Sequence, residues 1–322
     1  MTISHIVAGV INWDKTIFVK KFPKEGEEVK VERVVEVPGG KGANVAVASS
    51  RILGKKKVAL LGGLGSDFIA DKQLKILRNE GILTNLIQFA NEVPSGQAFI
   101  IVDSDGRNAI MTYRQANEFL SSEILESKNM LKYVADSLLV TVIDPPLAVV
   151  KNLIDMAAAN QKVVVWAPGL LSGSGIENVM DVVKNVNFLI LNEYECLLMS
   201  GISDPLSGCR KLCLKKNDIG VIVTRGEKGC IFGMNGDLSS IPTVDLLERG
   251  LKKVNTVGAG DAFIGTFCAM KILGKDDLES ILMANLSGAL KVTREETRGS
   301  PAINELIEFS KSIKKIHPHK LD

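Results

Sequence analysis

Short apolar runs of strand length recur along the chain at residues 58–61, 138–142, 163–166, 188–191 and 221–224. Between them, residues 43–53, 71–79, 147–159 and 179–186 carry apolar positions at helical spacing. Runs of Val, Ile and Leu without polar alternation suit strands covered on both faces. The alternation of strand and helix therefore predicts an α/β fold: a doubly wound, mostly parallel sheet with helices on both faces. Ligands gather at the strand C-termini of such a sheet. Residues 16–37 and 96–113 break the pattern, because β-prone segments alternate there around an Asp105-Gly106 turn with no helix between. They predict a small antiparallel flap, a β-lid over about residues 13–37 and 96–115. The C-terminal third, from Gly260 to Lys315, reads as largely helical, with a small-residue apolar helix at 284–292. With no repeat or low-complexity linker to divide the chain, one domain over 1–322 is expected.

Composition narrows the function. The 322 residues are 46% hydrophobic and 24% charged, the balance of a globular protein large enough to bury a core without metals or disulfides. A net charge of +2 and 5% aromatic residues argue against nucleic acid as a partner. Five cysteines with no CxxC pair make neither a disulfide framework nor a zinc site, which points to a reducing compartment. Cys209 and Cys213, four apart on a predicted helix, read as apolar packing. The first strand, expected at 5–11, begins without a leader-like segment, and no apolar run is long enough to span a membrane. A cytoplasmic protein without membrane partners is expected.

The strongest chemical signal is Asn255-Thr256-Val257-Gly258-Ala259-Gly260-Asp261-Ala262-Phe263, followed by helical periodicity over 264–273. Small residues at a helix start leave the amides of Gly258, Ala259 and Gly260 unobstructed, and the helix dipole adds positive potential. An oxyanion such as phosphate fits there. Asp261 would repel that anion unless its carboxylate is needed to take a proton from an attacking hydroxyl, which suggests phosphoryl transfer to an alcohol. The same segment could instead be an N-capping Asp after a Gly-rich turn. A second signal, Pro38-Gly39-Gly40-Lys41-Gly42-Ala43-Asn44, opens the helix that runs to Leu53. Its glycines permit close backbone approach, and Lys41 and Asn44 offer donors to sugar hydroxyls. It could equally be a tight turn. It is not a Walker A loop, and no GxGxxG fingerprint follows a strand.

Together the two segments resemble the ribokinase family, the phosphofructokinase-B type of ATP-dependent sugar kinase. Residues 39–54, GGKGANVAVASSRILG, look like its first signature, and residues 255–267, NTVGAGDAFIGTF, like its second. Asn192-Glu193-Tyr194-Glu195 resembles its NxxE motif, and residues 224–229 its strand-end turn under the nucleotide. The resemblance implies Asp261 as catalytic base, with the Gly258, Ala259 and Gly260 amides as anion hole. It implies Asn12, Asp14, Gly40, Lys41 and Asn44 as sugar ligands, with Asp144 near a family position on the sugar. Asn192 and Glu195 would act through Mg²⁺, with Glu195 holding the ion through water. Thr224, Gly226 and Asn285 would contact ATP.

There are departures. Ribokinases commonly place at position 255 an aspartate that helps bind a monovalent cation, and Asn255 removes that charge. A weakened cation site and only weak dependence on potassium are expected. Pro38 and the Tyr113-Arg114 pair lean towards sugar-phosphate or keto-acid sugar kinases, where Arg114 could meet an anionic substrate group. Arg114 could also be a solvated surface arginine. His5, His317 and His319 match no motif, and the last two lie in a basic tail expected to be frayed. The resulting expectation is a kinase that moves the γ-phosphoryl of ATP to a sugar hydroxyl, a ribose-like pentose being preferred. A nucleoside kinase or a sugar-phosphate kinase is the alternative on the same scaffold, and a non-catalytic binding regulator the distant one. Exposed lid strands could pair two copies into a homodimer.

Overall fold

The computed structural model describes residues 3–105, 107–313 and 317–321. Its strands are β1 His5–Gly9, β2 Asn12–Val19, β3 Val31–Gly39, β4 Val58–Gly65, β5 Leu83–Ala90, β6 Gly96–Val102, β7 Asn108–Tyr113, β8 Leu139–Ile143, β9 Val163–Ala167, β10 Phe188–Asn192, β11 Gly220–Thr224, β12 Cys230–Met234, β13 Asp237–Ile241 and β14 His319–Leu321. The helices are α1 Lys41–Leu53, α2 Phe68–Asn79, α3 Lys128–Asp136, α4 Leu147–Ala159, α5 Met180–Val183, α6 Glu193–Ser200, α7 Pro205–Cys213, α8 Ala259–Ile272, α9 Asp277–Val292 and α10 Ile303–Lys311.

Ten strands form the main sheet in the order β14-β13-β12-β11-β10-β9-β8-β1-β4-β5. The seven from β11 to β5 are parallel, and β12, β13 and β14 continue the sheet antiparallel. Every residue of β1 and β8 is buried, as runs without polar alternation require when both faces are covered. One face packs on residues of α3, α4, α6 and α7, the other on α1, α2, α8 and α9. The strand order reverses between β1, which leads through α1 to β4 on one side, and the parallel β8 beside it, which leads through α4 to β9 on the other. Their C-terminal ends open a crevice there.

Four points differ from the periodicity reading. The segment 179–186 forms only the short α5 after a 3₁₀ turn at Ile176–Val179, because Asn185 and Val186 tighten into bonds three residues back. The antiparallel end of the main sheet was absent from the reading, although Asn235-Gly236 at φ 53° and 87° is the two-residue hairpin turn between β12 and β13. The tail is not frayed throughout, since His319–Leu321 pairs with β13. The second sheet, ordered β3-β2-β6-β7, has antiparallel hairpins at both sides and a parallel pair, β2 with β6, at its centre. Gly106 of the Asp105-Gly106 turn and Lys315 lie outside the described residues. His5, which matched no motif, is wholly buried between Ser49 Oγ at 2.8 Å and Thr141 Oγ1 at 2.7 Å, and burial pulls its imidazole down to about 3.

Two backbone approaches set where α1 and α8 lie. A methyl group on Gly42 would meet the Gly9 carbonyl carbon at 2.5 Å, so α1 starts directly on the end of β1. One on Gly265 would meet Ala48 Cβ and Val45 O at 2.6 Å, so α8 crosses α1 at backbone distance. Gly42→Ala should therefore cost about 1–3 kcal/mol of stability, the range of an overpacked core position. Urea unfolding of the two proteins measures it, and unchanged midpoints would show that α1 can shift freely.

Candidate active site

Gly258, at φ 84°, turns the chain into α8 and precedes the first helical amides, which lack intrahelical partners. The Ala259 N–H already donates to Thr256 O at 3.2 Å, whereas Gly260 is exposed and lines a cavity of about 160 Å³. Lys41, Asn192, Glu195, Thr224 and Asp261 share that cavity. Residues from β10, β11, α1, α6 and α8 thus meet at the C-terminal side of the main sheet.

Asp261 stands in the first turn of α8, and its Oδ2 accepts from Asn44 Nδ2 at 2.8 Å. Burial raises its carboxyl above the usual range, and Glu195 adds to that rise. The Asn44 hydrogen bond and the charges of Lys41 and Lys291 oppose it. Asn44 Oδ1 in turn accepts from Arg298 Nε at 3.0 Å. Sequence reasoning missed Arg298, which is buried, donates through Nη2 to Gly39 O at 2.5 Å and leaves Nη1 without a partner among the described residues. No spacing could have found it, since 254 residues separate it from Asn44. Two other guanidinium groups hold its segment: Arg51 donates to the carbonyls of Arg298 and Ser300, and Arg294 to those of Gly299 and Ser300. Burial pulls Arg298 down to about 10, which leaves it charged at neutral pH.

Asp14 is buried beside this guanidinium, its carboxylate packed against Gly39, where an added Cβ would lie 2.1 Å away. Burial pushes its carboxyl up to about 7, with Arg298 opposing and Asp261 adding to the rise. Asn12, two residues earlier on β2, accepts through Oδ1 from Asn117 Nδ2 at 3.0 Å. Asn117, a second residue the sequence did not flag, also bonds both backbone groups of Ile11 and so ties the second sheet to the end of β1.

The remaining candidates divide. Glu195 and Asn192 form a capping box at α6: Glu195 N–H donates to Asn192 Oδ1 at 2.8 Å, and Asn192 N–H to Glu195 Oε2 at 3.1 Å. Glu195 Oε1 remains directed at Lys41 Nζ, 3.7 Å away. Lys41 therefore leans to the Glu195 side of the cavity. Gly40, the residue before it, caps α1 at φ 92°. Thr224 Oγ1 donates to Leu191 O at 3.3 Å, and Gly226, at φ 56°, is exposed just beyond β11.

Four further candidates are engaged by neighbouring groups of the chain itself. Asn285 is buried with Nδ2 on Cys230 Sγ at 3.6 Å and Ile241 O at 3.4 Å; it lies behind Thr224, whose β-partner is Cys230, and outside the cavity. Arg114 is neither solvated nor free: Nη1 lies 3.2 Å from Asp144 Oδ1, Nη2 donates to Asp144 O at 2.8 Å, and Glu118 accepts from Nε. Asp144, buried at φ 61°, meets both Arg114 and the Leu170 amide through Oδ1. Asn255 is tied into its own loop, its Oδ1 accepting from Val257 N–H at 3.0 Å and its Nδ2 donating to Glu295 O at 2.7 Å, and its amide carries no charge for a cation.

The Asp14 environment has a measurable consequence. Its folded-state value of about 7 lies above the ordinary aspartate value of 3.8, so the stabilisation from its protonated form is full below about 4 and is lost as pH rises from there through about 7. Carboxyl-carbon NMR, with the signal assigned by its absence in Asp14→Asn, should give a midpoint about three units above an ordinary aspartate. A midpoint near 4 would mean that water reaches the site.

Comparison with known proteins agrees with this geometry. The model of the pfkB family of carbohydrate kinases matches residues 4–303. The chain is 30% identical to the ribokinase of Dictyostelium discoideum over 321 residues, covering 93% of this chain and 98% of the relative. It is 29% identical to a deoxyribokinase of Salmonella typhi over 305 residues, covering 92% and 95%. The Arabidopsis thaliana ribokinase structure in complex with ribose and ATP superposes with a TM-score of 0.82 at 22% identity, covering 97% of this chain and 99% of that one. With the family model spanning nearly the whole length, and the glycine-framed helix starts of α1 and α8 meeting at Asn44 and Asp261, the chain belongs to the pfkB family of carbohydrate kinases.

Proposed function

We propose that this ATP-dependent sugar kinase phosphorylates a ribose-like pentose, with Asp261 as the base. The carrying observation is the cavity in which Asp261 and the α8 N-terminus face Lys41, Glu195 and Thr224. Asn44 bonds Asp261 through Nδ2 and accepts through Oδ1 from Arg298, beside which Asp14 is buried, and this polar set suits a small polyol. ATP would enter from the β10–β11 end, its γ-phosphate at the amides of Gly258 and Gly260. A sugar hydroxyl attacks phosphorus, its proton passes to the Asp261 carboxylate, and the bond to the leaving ADP oxygen breaks. Burial suits Asp261 to this task, since a raised value strengthens the base while the Asn44 hydrogen bond holds it oriented.

Glu195 fits a divalent ion held partly by phosphate and water. It offers one free hard oxygen, and among the described residues no group of three or more His, Cys, Asp or Glu could hold a metal alone. When bound there, Mg²⁺ would neutralise charge on the phosphates. Lys41 adds a second positive charge on the same side of the cavity. The four-stranded sheet would close over the sugar as a lid in one domain with the main sheet, and its exposed Val34, Ile110 and Met111 suit pairing with a second copy. Five buried free thiols fit a reducing, cytoplasmic setting.

A coupled ADP-release assay over ribose, 2-deoxyribose, hexoses, sugar phosphates and nucleosides tests the substrate. Highest kcat/KM on a pentose is expected, and turnover confined to phosphorylated sugars would overturn the reading. Asp261→Asn should lower kcat by about 10²–10⁴ while sugar and nucleotide still bind. Retention of more than about a tenth of wild-type kcat would make Asp261 a cap.

Arg298 acts through Asn44 as a positioning residue, because its Nε–H fixes which end of the amide meets Asp261. Arg298→Met removes that donor and a nearby positive charge, so Asp261 should bind its proton more tightly. The acid limb of the kcat–pH profile should move to higher pH, with kcat reduced about tenfold, the scale of a lost charge-assisted hydrogen bond. An unmoved profile would reduce Arg298 to a packing role.

A further inference from the structure

Lys291, in the last turn of α9, is wholly buried, and its Nζ donates to the Asn255 main-chain carbonyl at 2.8 Å. The mechanism above makes no catalytic use of it. A buried ammonium is costly unless something in the fold needs it. The carbonyl it meets begins the loop that ends in Gly258, Ala259 and Gly260. That loop is fastened to the end of α9 by the Val254 and Asn255 amides, both donating to Val292 O. Asp261 and Glu296 favour the charged form of Lys291, and Arg294 opposes it. Burial pulls the amine down only to about 8, so it carries its proton at neutral pH.

The family resemblance implies a monovalent cation at this loop, and the residues present do not fit one. The Asn255 side chain carries no negative charge and is tied into its own loop through Val257 N–H and the Glu295 carbonyl, and the Lys291 ammonium on the Asn255 main-chain carbonyl would repel a second cation there. We propose that Lys291 takes the place of that ion, its tethered ammonium supplying the fixed positive charge behind the phosphate cradle and making the protein independent of potassium. A charge built into the helix is pre-organised and needs no capture from solvent. The electrostatic coupling of Lys291 to Asp261 places this charge within reach of the reacting groups.

The inference rests on the kinase reading, and its test separates the two. ADP release and thermal melting are measured for wild type, Lys291→Ala and Lys291→Met, in potassium and in tetramethylammonium at equal ionic strength. Wild type should be the same in both salts. Lys291→Ala, which empties the space, should lose at least about tenfold in tetramethylammonium, the scale of removing one pre-organised electrostatic group. Potassium or methylammonium should restore much of that loss, and potassium should raise the melting temperature of this variant alone. Lys291→Met, which fills the space without charge, should stay impaired in every salt. Potassium activation of wild type would overturn the proposal, as would a folded Lys291→Ala that is fully active without the ion. So would a folded, inactive Lys291→Ala that no cation rescues. If Lys291→Ala does not fold, the wild-type salt comparison and Lys291→Met decide. Melting requires no turnover, so a wild type that phosphorylates no sugar refutes the kinase reading while the potassium-dependent melt of Lys291→Ala still tests the charge.

Discussion

The hydrogen bond from Asn44 to Asp261 joins two helix starts that lie 217 residues apart in the chain. It exists because α1 and α8 pack backbone to backbone, with Gly42 on the end of β1 and Gly265 against α1. A side chain at Gly265 would push α8 off α1, and one at Gly42 would push α1 off the end of β1. Asp261 is thereby held in the cavity that Lys41, Glu195 and Thr224 also line.

Burial around this contact would be prohibitive for isolated charges, and the structure answers with a balanced set. Asp14 and Asp261 carry the negative groups, and Arg298, Lys291 and Lys41 the positive ones, close enough to influence one another. The acids are raised and the buried bases lowered, in each case chiefly by desolvation, which is what a poorly hydrated interior does to either sign. The low local dielectric also strengthens every remaining attraction, so the orientation of Asn44 and the protonation of Asp261 depend on residues that touch no ligand.

Several residues serve local structure and the site at once. Asn192 and Glu195 cap α6 reciprocally, and the oxygen of Glu195 left over from the cap faces Lys41. A helix-capping reading and a ligand-binding reading of this motif are therefore compatible. Arg114 shows the opposite case. The sequence left it between a contact to an anionic substrate and a solvated surface position, and the structure pairs it with Asp144 and Glu118, which fastens the segment after β7 to the end of β8.

The sequence by itself determined the α/β architecture and the positions of the helices that begin at Lys41 and Ala259. Periodicity and glycine spacing are local properties, and runs such as Leu139–Ile143 carry them fully. The hairpin at Asn235-Gly236 was also legible from its turn residues. Only the tertiary structure decided that Arg298 supports Asn44, that Asn285 faces Cys230 and that Lys291 occupies the Asn255 carbonyl. These pairings join distant segments, and their strength comes from burial, which a residue acquires only when the chain has closed around it.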